Sequence, residues 1–332
     1  MFEKKLPVEP SFIIKDLISS EHFKLNGKLI PLLNGVSFQI NKGDKVGVSA
    51  FSKEELVCII EILGNMRPYY KGYVKLSSLG TKAKKGSVVE QIFYLDSPEM
   101  LYGDMTLLEH LMYVKNIINI AQDIGVDAGV EQKAILDFIK ASQMEKYVLT
   151  PIKRMKESTK MVVAIMVALL TTSEKLVINA SNYFFSYEEA CSIKTLFNMY
   201  ANKTIVLATF DNKLIGMSCQ KVIYLSQGQV KSYTSVKELY KNWDKVTCSI
   251  KSGDNTKLVS LIQNLSSHPD FRFFEEDGYI FFEGIRPEDF INKEFFLQCE
   301  KDHLIIEKIR INQGRVANAF DEIEGGKKHD IH

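Results

Sequence analysis

The segment Gly43-Asp-Lys-Val-Gly-Val-Ser-Ala-Phe-Ser-Lys-Glu-Glu-Leu-Val-Cys-Ile-Ile-Glu-Ile-Leu63 decides the fold. Asn41-Lys-Gly-Asp44 reads as a turn and Lys45-Val-Gly-Val48 as a short strand. Leu56 to Leu63 is apolar at nearly every position and reads as a buried helix. A strand feeding a helix is the repeating unit of α/β sheets, and the rest of the chain continues the alternation.

Upstream, Phe12 to Leu17 and Leu32 to Ile40 read as strands. Downstream, Gly72 to Leu76 and Gln91 to Leu95 are strands. Thr106 to about Lys146 is helical, with a glycine-containing break at Gly125 to Gly129. Lys156 to Leu170 is helical and apolar towards its end. Lys175-Leu-Val-Ile178 and Thr204 to Thr209 are almost continuously apolar, as in the middle of a parallel sheet covered on both faces. Val222 to Leu225, Gly228 and Gln229-Val230 read as a hairpin. After about Asn242 the order becomes βαββαβ: strand Lys245–Ile250, helix Asn255–Ser266, strands Phe271–Phe274 and Tyr279–Glu283, helix Pro287–Lys301, strand Leu304–Ile311. That is the split βαβ, ferredoxin-like plan. A helix from Arg315 to Ile323 and a frayed tail follow. The expected division is 1–242, with a helical subdomain at about 98–160, then 243–325 and a disordered tail at 326–332.

Composition narrows the function classes. The 332 residues carry 42 Lys+Arg against 41 Asp+Glu, a net charge of +1, so no basic footprint for nucleic acid exists. The cysteines, Cys58, Cys191, Cys219, Cys248 and Cys299, are too widely spaced for a zinc motif or a disulfide framework. His329 and His332 read as idle, so no metal site is expected. Met1 to Pro10 lacks the apolar core of a secretory leader. Met161 to Leu170, the longest apolar run, is far short of the ~20 residues that span a bilayer.

Laid end to end, the hydrophobic frame over roughly residues 10–235 resembles the nucleotide-binding subunit of ATP-binding cassette (ABC) transporters, with the drug, peptide and lipid exporters as the nearest branch. The resemblance implies an α/β, P-loop NTPase-like cassette with a mixed sheet and a helical subdomain, followed by a C-terminal α+β ferredoxin-like accessory domain. It also implies that the motif residues have been replaced. A working phosphate loop reads G-x-x-x-x-G-K-[ST]. In register with it, Ala50 stands at the first glycine and Glu55 at the last. Leu56 takes the lysine position and Val57 the hydroxyl position. Lys53 lies nearby but off the motif position. Glu54 and Glu55 put negative charge where phosphate would lie; one like-charge pair at about 4 Å costs about 4 kcal/mol at an effective dielectric of about 20.

The other family positions fail alike. Ser97 holds the Q-loop position and cannot reach a metal or water across the site. Met155-Lys-Glu-Ser-Thr159 takes the place of the signature, with Glu157 and Ser158 at its two glycines. Asn179 replaces the Mg²⁺-associated Asp of Walker B, Ala180 replaces the general base, and Phe210 replaces the switch histidine. Glycine placement agrees: none lies between Gly47 and Gly64, nor between Gly129 and Gly216. A cassette that only supports an active partner keeps its signature; this one has lost both halves.

The resemblance therefore implies a pseudo-ATPase with no expected cofactor. Its partners would be an integral membrane permease subunit and a second cassette, as homodimer or heterodimer. It would sit in the cytoplasm, peripheral on the inner face of the membrane. Tyr183, Phe184, Phe185 and Tyr187 map to the dimer seam, with local inward packing as the alternative. Met100, Leu101 and Tyr102 border the groove that receives a permease helix, with core packing as the alternative. Phe23, at the adenine-stacking position, reads as packing, and Lys82, Lys84 and Lys85 as a solvated turn, with contact to lipid headgroups as the alternative. Two other readings stay open: an active ATPase with an unorthodox site that would bind ATP and Mg²⁺, and a free-standing scaffold or regulator.

Overall fold

The computed structural model describes residues 9–25, 28–76, 92–125, 127–241, 246–265, 271–276, 278–283 and 290–311. The chain divides into two compact units, Met1–Val236 and Lys237–His332.

The first unit is built on a six-stranded sheet. Its strands are β5 (Lys45–Ala50), β7 (Ile92–Leu95), β8 (Lys175–Asn179), β9 (Thr204–Ala208), β10 (Lys221–Ser226) and β11 (Gln229–Ser235). Their spatial order is β11-β10-β5-β9-β8-β7, parallel throughout except for the β10–β11 hairpin. β5, β8 and β9 are buried along their whole length, as the continuous apolar runs Leu176–Ile178 and Ile205–Ala208 require of β8 and β9; β5 buries Lys45 and Ser49 among its apolar residues. Helices α1 (Lys53–Leu63), α4 (Glu157–Leu170), α5 (Tyr187–Met199) and α6 (Asn212–Ser218) alternate with these strands in the chain. α4 is buried on ten of its fourteen residues, so it is a core helix and not an amphipathic surface one. Helices α2 (Leu107–Ala121) and α3 (Ala128–Ala141) form the helical excursion between β7 and α4.

A second, antiparallel sheet has the order β4-β1-β6, with β1 at Pro10–Ser19, β4 at Asn34–Asn41 and β6 at Tyr69–Leu76. One continuous core cluster joins it to α1 and the parallel strands, with Phe12, Leu33, Ile40, Leu56, Ile59 and Val206 all fully buried. β2 (His22–Leu25) and β3 (Lys28–Pro31) form a small hairpin that the alternation of apolar residues does not announce. For that reason the strand expected over Leu32–Ile40 starts two residues late. Leu32 and Leu33 cross from hairpin to sheet, held by Leu32 N–H to Glu21 O (2.9 Å) and Ser19 N–H to Leu33 O (3.0 Å). Helix α5 is a second addition to the sequence reading. Its buried face, Ala190, Ile193, Leu196 and Phe197, has helical spacing.

α7 (Val236–Lys241) crosses the division between the units. The second unit contains β12 (Val246–Ser252), α8 (Asn255–Leu265), β13 (Arg272–Glu276), β14 (Tyr279–Glu283), α9 (Lys293–Lys301) and β15 (Ile306–Ile311). Its sheet has the order β13-β14-β12-β15, every pair antiparallel. Phe282, Phe290 and Phe295 are fully buried at its centre, with ring centroids 5.8–6.2 Å apart. The start of the helix expected from Pro287, the helix expected at Arg315–Ile323, the tail and Lys82, Lys84 and Lys85 lie outside the described residues. Among the described residues, no helix is long and apolar enough to cross a membrane.

Candidate functional site

In an open parallel sheet the ligand crevice lies at the carboxyl ends of the strands. β5, β9 and β8 are neighbours, and their carboxyl ends bring together Ala50, Asn179, Ala180 and Phe210. Thr209 N–H donates to Val48 O (3.1 Å) and Ala180 N–H to Ala208 O (2.8 Å), which locks the three ends in line. The chemistry at this edge is apolar or self-satisfied. Ala50 and Ala180 are buried methyl groups, and Phe210 packs against the core cluster. Asn179 Oδ1 accepts from Ser181 N–H (3.2 Å) and Ser181 Oγ (2.7 Å), so it organises its own turn. Burial raises the pKa of the neighbouring Tyr94 phenol, whose buried hydroxyl has no hydrogen-bond partner among the described residues. Asn179 is neutral and Ala180 has no titratable group, so neither can neutralise a divalent ion or take a proton. No group of three His, Cys, Asp or Glu residues among those described could hold a metal ion. Phe23 packs on the core cluster, as expected.

The junction from β5 to α1 shows what replaced the phosphate loop. Only Phe51 and Ser52 separate strand from helix. Ser52 is the N-cap of α1, in a capping box with Glu55: Glu55 N–H donates to Ser52 Oγ (3.2 Å), and Ser52 N–H donates to Glu55 Oε2 (3.3 Å). Ser52 Oγ also donates to Glu55 Oε2 (3.0 Å), and Gly228 N–H donates to Glu55 Oε1 (2.5 Å). Phe51 N–H is taken by Leu225 O (2.8 Å). Glu55 is 2% exposed. It is thus not a stray repulsive charge, as its position in the motif suggested, but a satisfied cap. Leu56, at the lysine position, is fully buried in the core, Val57 is half-buried, and Lys53 is exposed on the first turn.

The remaining motif positions are not drawn into this cluster by any hydrogen bond. Ser97 caps a 3₁₀ turn at Pro98–Met100, accepting from Glu99 N–H (3.1 Å). Glu157 is exposed at the start of α4 and pairs with Lys160 (2.7 Å). Ser158 Oγ and Thr159 Oγ1 donate to Glu189 Oε1 (2.9 and 2.6 Å), and Ser186 N–H donates to Glu189 Oε2 (2.8 Å). Burial raises the Glu189 pKa, but these donors outweigh it and the net shift is downward. A carboxylate again satisfies a helix start, here tying α4 to α5. A cavity of about 520 Å³ opens beside it, lined by Lys146, Tyr147, Lys156, Phe184 and Tyr187 among others.

The expected seam aromatics separate into two kinds. Phe184 and Tyr187 are 72% and 68% exposed, and Tyr183 is half-buried. Phe185 is buried, and its backbone N–H donates to Asp211 Oδ2 (3.0 Å). In the expected docking segment Met100 and Tyr102 are exposed and Leu101 is half-buried. Tyr102 meets Tyr113 of α2 edge-on at 5.3 Å. Tyr113, Ile117 and Ile120 continue an exposed apolar line along α2 that the sequence reading passed over.

No family model matches the chain, and no curated protein matches it. Solved structures do. A dimeric ATP-binding cassette in a post-hydrolysis state, bound to ADP and phosphate, superposes with a TM-score of 0.51 at 18% identity, over 68% of this chain and 98% of that one. A nucleotide-free ATP-binding cassette from an ABC transporter gives 0.52 at 15% identity, over 70% and 94%. The cbiO1 protein of Clostridium perfringens, described as part of the ABC transporter complex cbiONQ, gives 0.52 at 15%, over 71% and 92%. At these identities the likeness establishes the fold, that of the ABC-transporter ATP-binding cassette, and leaves the chemistry to the residues.

Proposed function

We propose that this chain is a catalytically inert ATP-binding-cassette subunit of a membrane exporter complex. It docks on an integral membrane permease at the inner face of the membrane, pairs with itself or with another cassette, and acts as a mechanical or regulatory element without hydrolysis. The second unit serves as a ferredoxin-like accessory domain. The observation that carries this reading is the buried Glu55 carboxylate, which sits at the β5–α1 junction where a cassette would hold phosphate and takes up the Ser52 N–H of that junction and the Gly228 N–H of the β10–β11 turn. Asn179 and Ala180 support it, since the strand end offers no metal ligand of opposite charge and no general base.

The test is release of phosphate from Mg-ATP by the purified chain. Background rates are expected. Turnover that disappears in Lys53→Ala would instead establish an ATPase with an unorthodox site. For pairing, Phe184 and Tyr187 are the contact residues, because exposed aromatics bury large areas on association. In sedimentation, nucleotide-free chain is expected to dimerise, and Phe184→Arg with Tyr187→Asp to return it to monomer; a dimer indifferent to both changes places the seam elsewhere.

A further inference from the structure

The Glu55 carboxylate does more than cap a helix. Its Oε2 serves Ser52, and its Oε1 reaches Gly228, 173 positions along the chain, in the turn between β10 and β11. Gly228 adopts a φ of +76°, which presents its N–H to the carboxylate. The carbonyl of the same residue accepts from Asn34 N–H (2.7 Å) at the start of β4. One buried anion therefore links α1, the parallel sheet and the antiparallel sheet through a single residue. The bonding of the anion is that of a bound oxyanion: backbone N–H groups and a hydroxyl converge on it at the start of an eleven-residue helix, whose dipole favours negative charge there.

We propose that Glu55 is a tethered oxyanion, a covalently attached stand-in for a phosphate group that holds the β5–α1 junction and the β10–β11 turn in a permanently ligated arrangement. This rests on the reading of the nucleotide site as inert and adds a positive role for the residue that closes it. Where a phosphate-binding loop is ordered by its ligand, this junction is ordered by its own side chain. Deleting the carboxylate must then do two things: loosen the link between the sheets, and vacate a site of the right size and polarity for one small inorganic oxyanion.

The test is thermal unfolding of the full chain as wild type, Glu55→Ala and Glu55→Gln, with inorganic phosphate or with chloride at matched ionic strength. Glu55→Ala is expected to lower Tm by roughly 5 °C, and phosphate to restore part of that loss by binding the folded state. Wild type, whose site is filled, is expected not to respond to phosphate. Glu55→Gln fills the space without the charge, so it should melt below wild type and stay there when phosphate is added. An unaltered Tm in Glu55→Ala, a loss that phosphate does not relieve, or an equal response in wild type overturns the proposal. If the alanine variant does not fold, Glu55→Gln decides: a Tm equal to wild type overturns it. Mg-ATP added to wild type is a separate arm. Stabilisation there sinks the inert-site reading itself, whereas a silent wild type with an unrescued alanine variant sinks only the tethered oxyanion.

Discussion

Lys45→Met is expected to lower the unfolding free energy of the first unit by roughly 1–3 kcal/mol, the range for leaving buried hydrogen-bond acceptors without their partner. Lys45 opens β5 and is 3% exposed. Its three N–H donors are shared among four carbonyls around Nζ: Gly43 O (3.1 Å), Tyr200 O (3.0 Å), Ala201 O (3.1 Å) and Lys203 O (2.5 Å). Tyr200 is the C-cap of α5, where carbonyls lack helical partners and the dipole is negative. One ammonium thus closes the end of α5 and fixes the turn into β9. Methionine keeps the apolar stem and removes every donor, which takes a partner from all four carbonyls, although Tyr200 O keeps the Lys203 N–H (3.1 Å). Urea unfolding followed by circular dichroism measures the loss; a change under about 1 kcal/mol contradicts this role. Burial also pulls the Lys45 pKa from 10.5 to about 8, with Asp44 and then Cys219 opposing. Because the folded value is the lower one, the unfolded chain binds more protons between about pH 8 and 10.5. The contribution of this group makes wild-type stability rise across that window, and the rise should be missing from Lys45→Met.

Gly72→Ala is expected to cost about 3 kcal/mol or more, from backbone strain of roughly 1–3 kcal/mol and steric overpacking of similar size. Gly72 has a φ of +108°, and a Cβ there would lie 2.5 Å from Asp16 O and 2.6 Å from Leu17 Cα. These are backbone atoms and cannot swing aside. They belong to a bulge: β1 pairs Lys15 with Tyr73 and then Ile18 with Lys71, so Asp16 and Leu17 together face Gly72. Asp16 itself sits at a φ of +48°, braced by its N–H to Ser37 Oγ (2.9 Å). Gly35, at +78° with open space around it, is the control: alanine there bears backbone strain without the clash. A Gly72→Ala midpoint within experimental error of Gly35→Ala would show that the bulge yields.

Much of this architecture is legible in the sequence. Unbroken apolar strands at Leu176–Ile178 and Ile205–Ala208 announce a parallel sheet because both faces are covered. The losses at Asn179, Ala180 and Leu56 are readable because they concern the chemistry of single side chains. The cap at Glu55 is half legible. Ser52-x-x-Glu55 has the capping-box spacing, as do Thr106-x-x-Glu109 and Ser186-x-x-Glu189, and all three boxes form. Seen only against a phosphate-loop motif, Glu55 looks like a repulsive charge; seen as position N3 of a helix, it is a partner. Its bond to Gly228 is tertiary, across 173 positions, and no local pattern encodes it. The bond that fixes the Phe185 backbone is hidden for the same reason, since its acceptor Asp211 lies 26 residues away. Helix α5 escapes notice because its exposed face is polar and its start overlaps the aromatic run at Tyr183–Tyr187.

The central claim is that the carboxyl ends of β5, β8 and β9 do not take a nucleotide. Isothermal titration of Mg-ATP and of ADP into the purified full chain measures that directly. Heats indistinguishable from dilution are expected for both. Saturable binding in the micromolar range would contradict the claim and return the site to the working cassettes whose fold it shares.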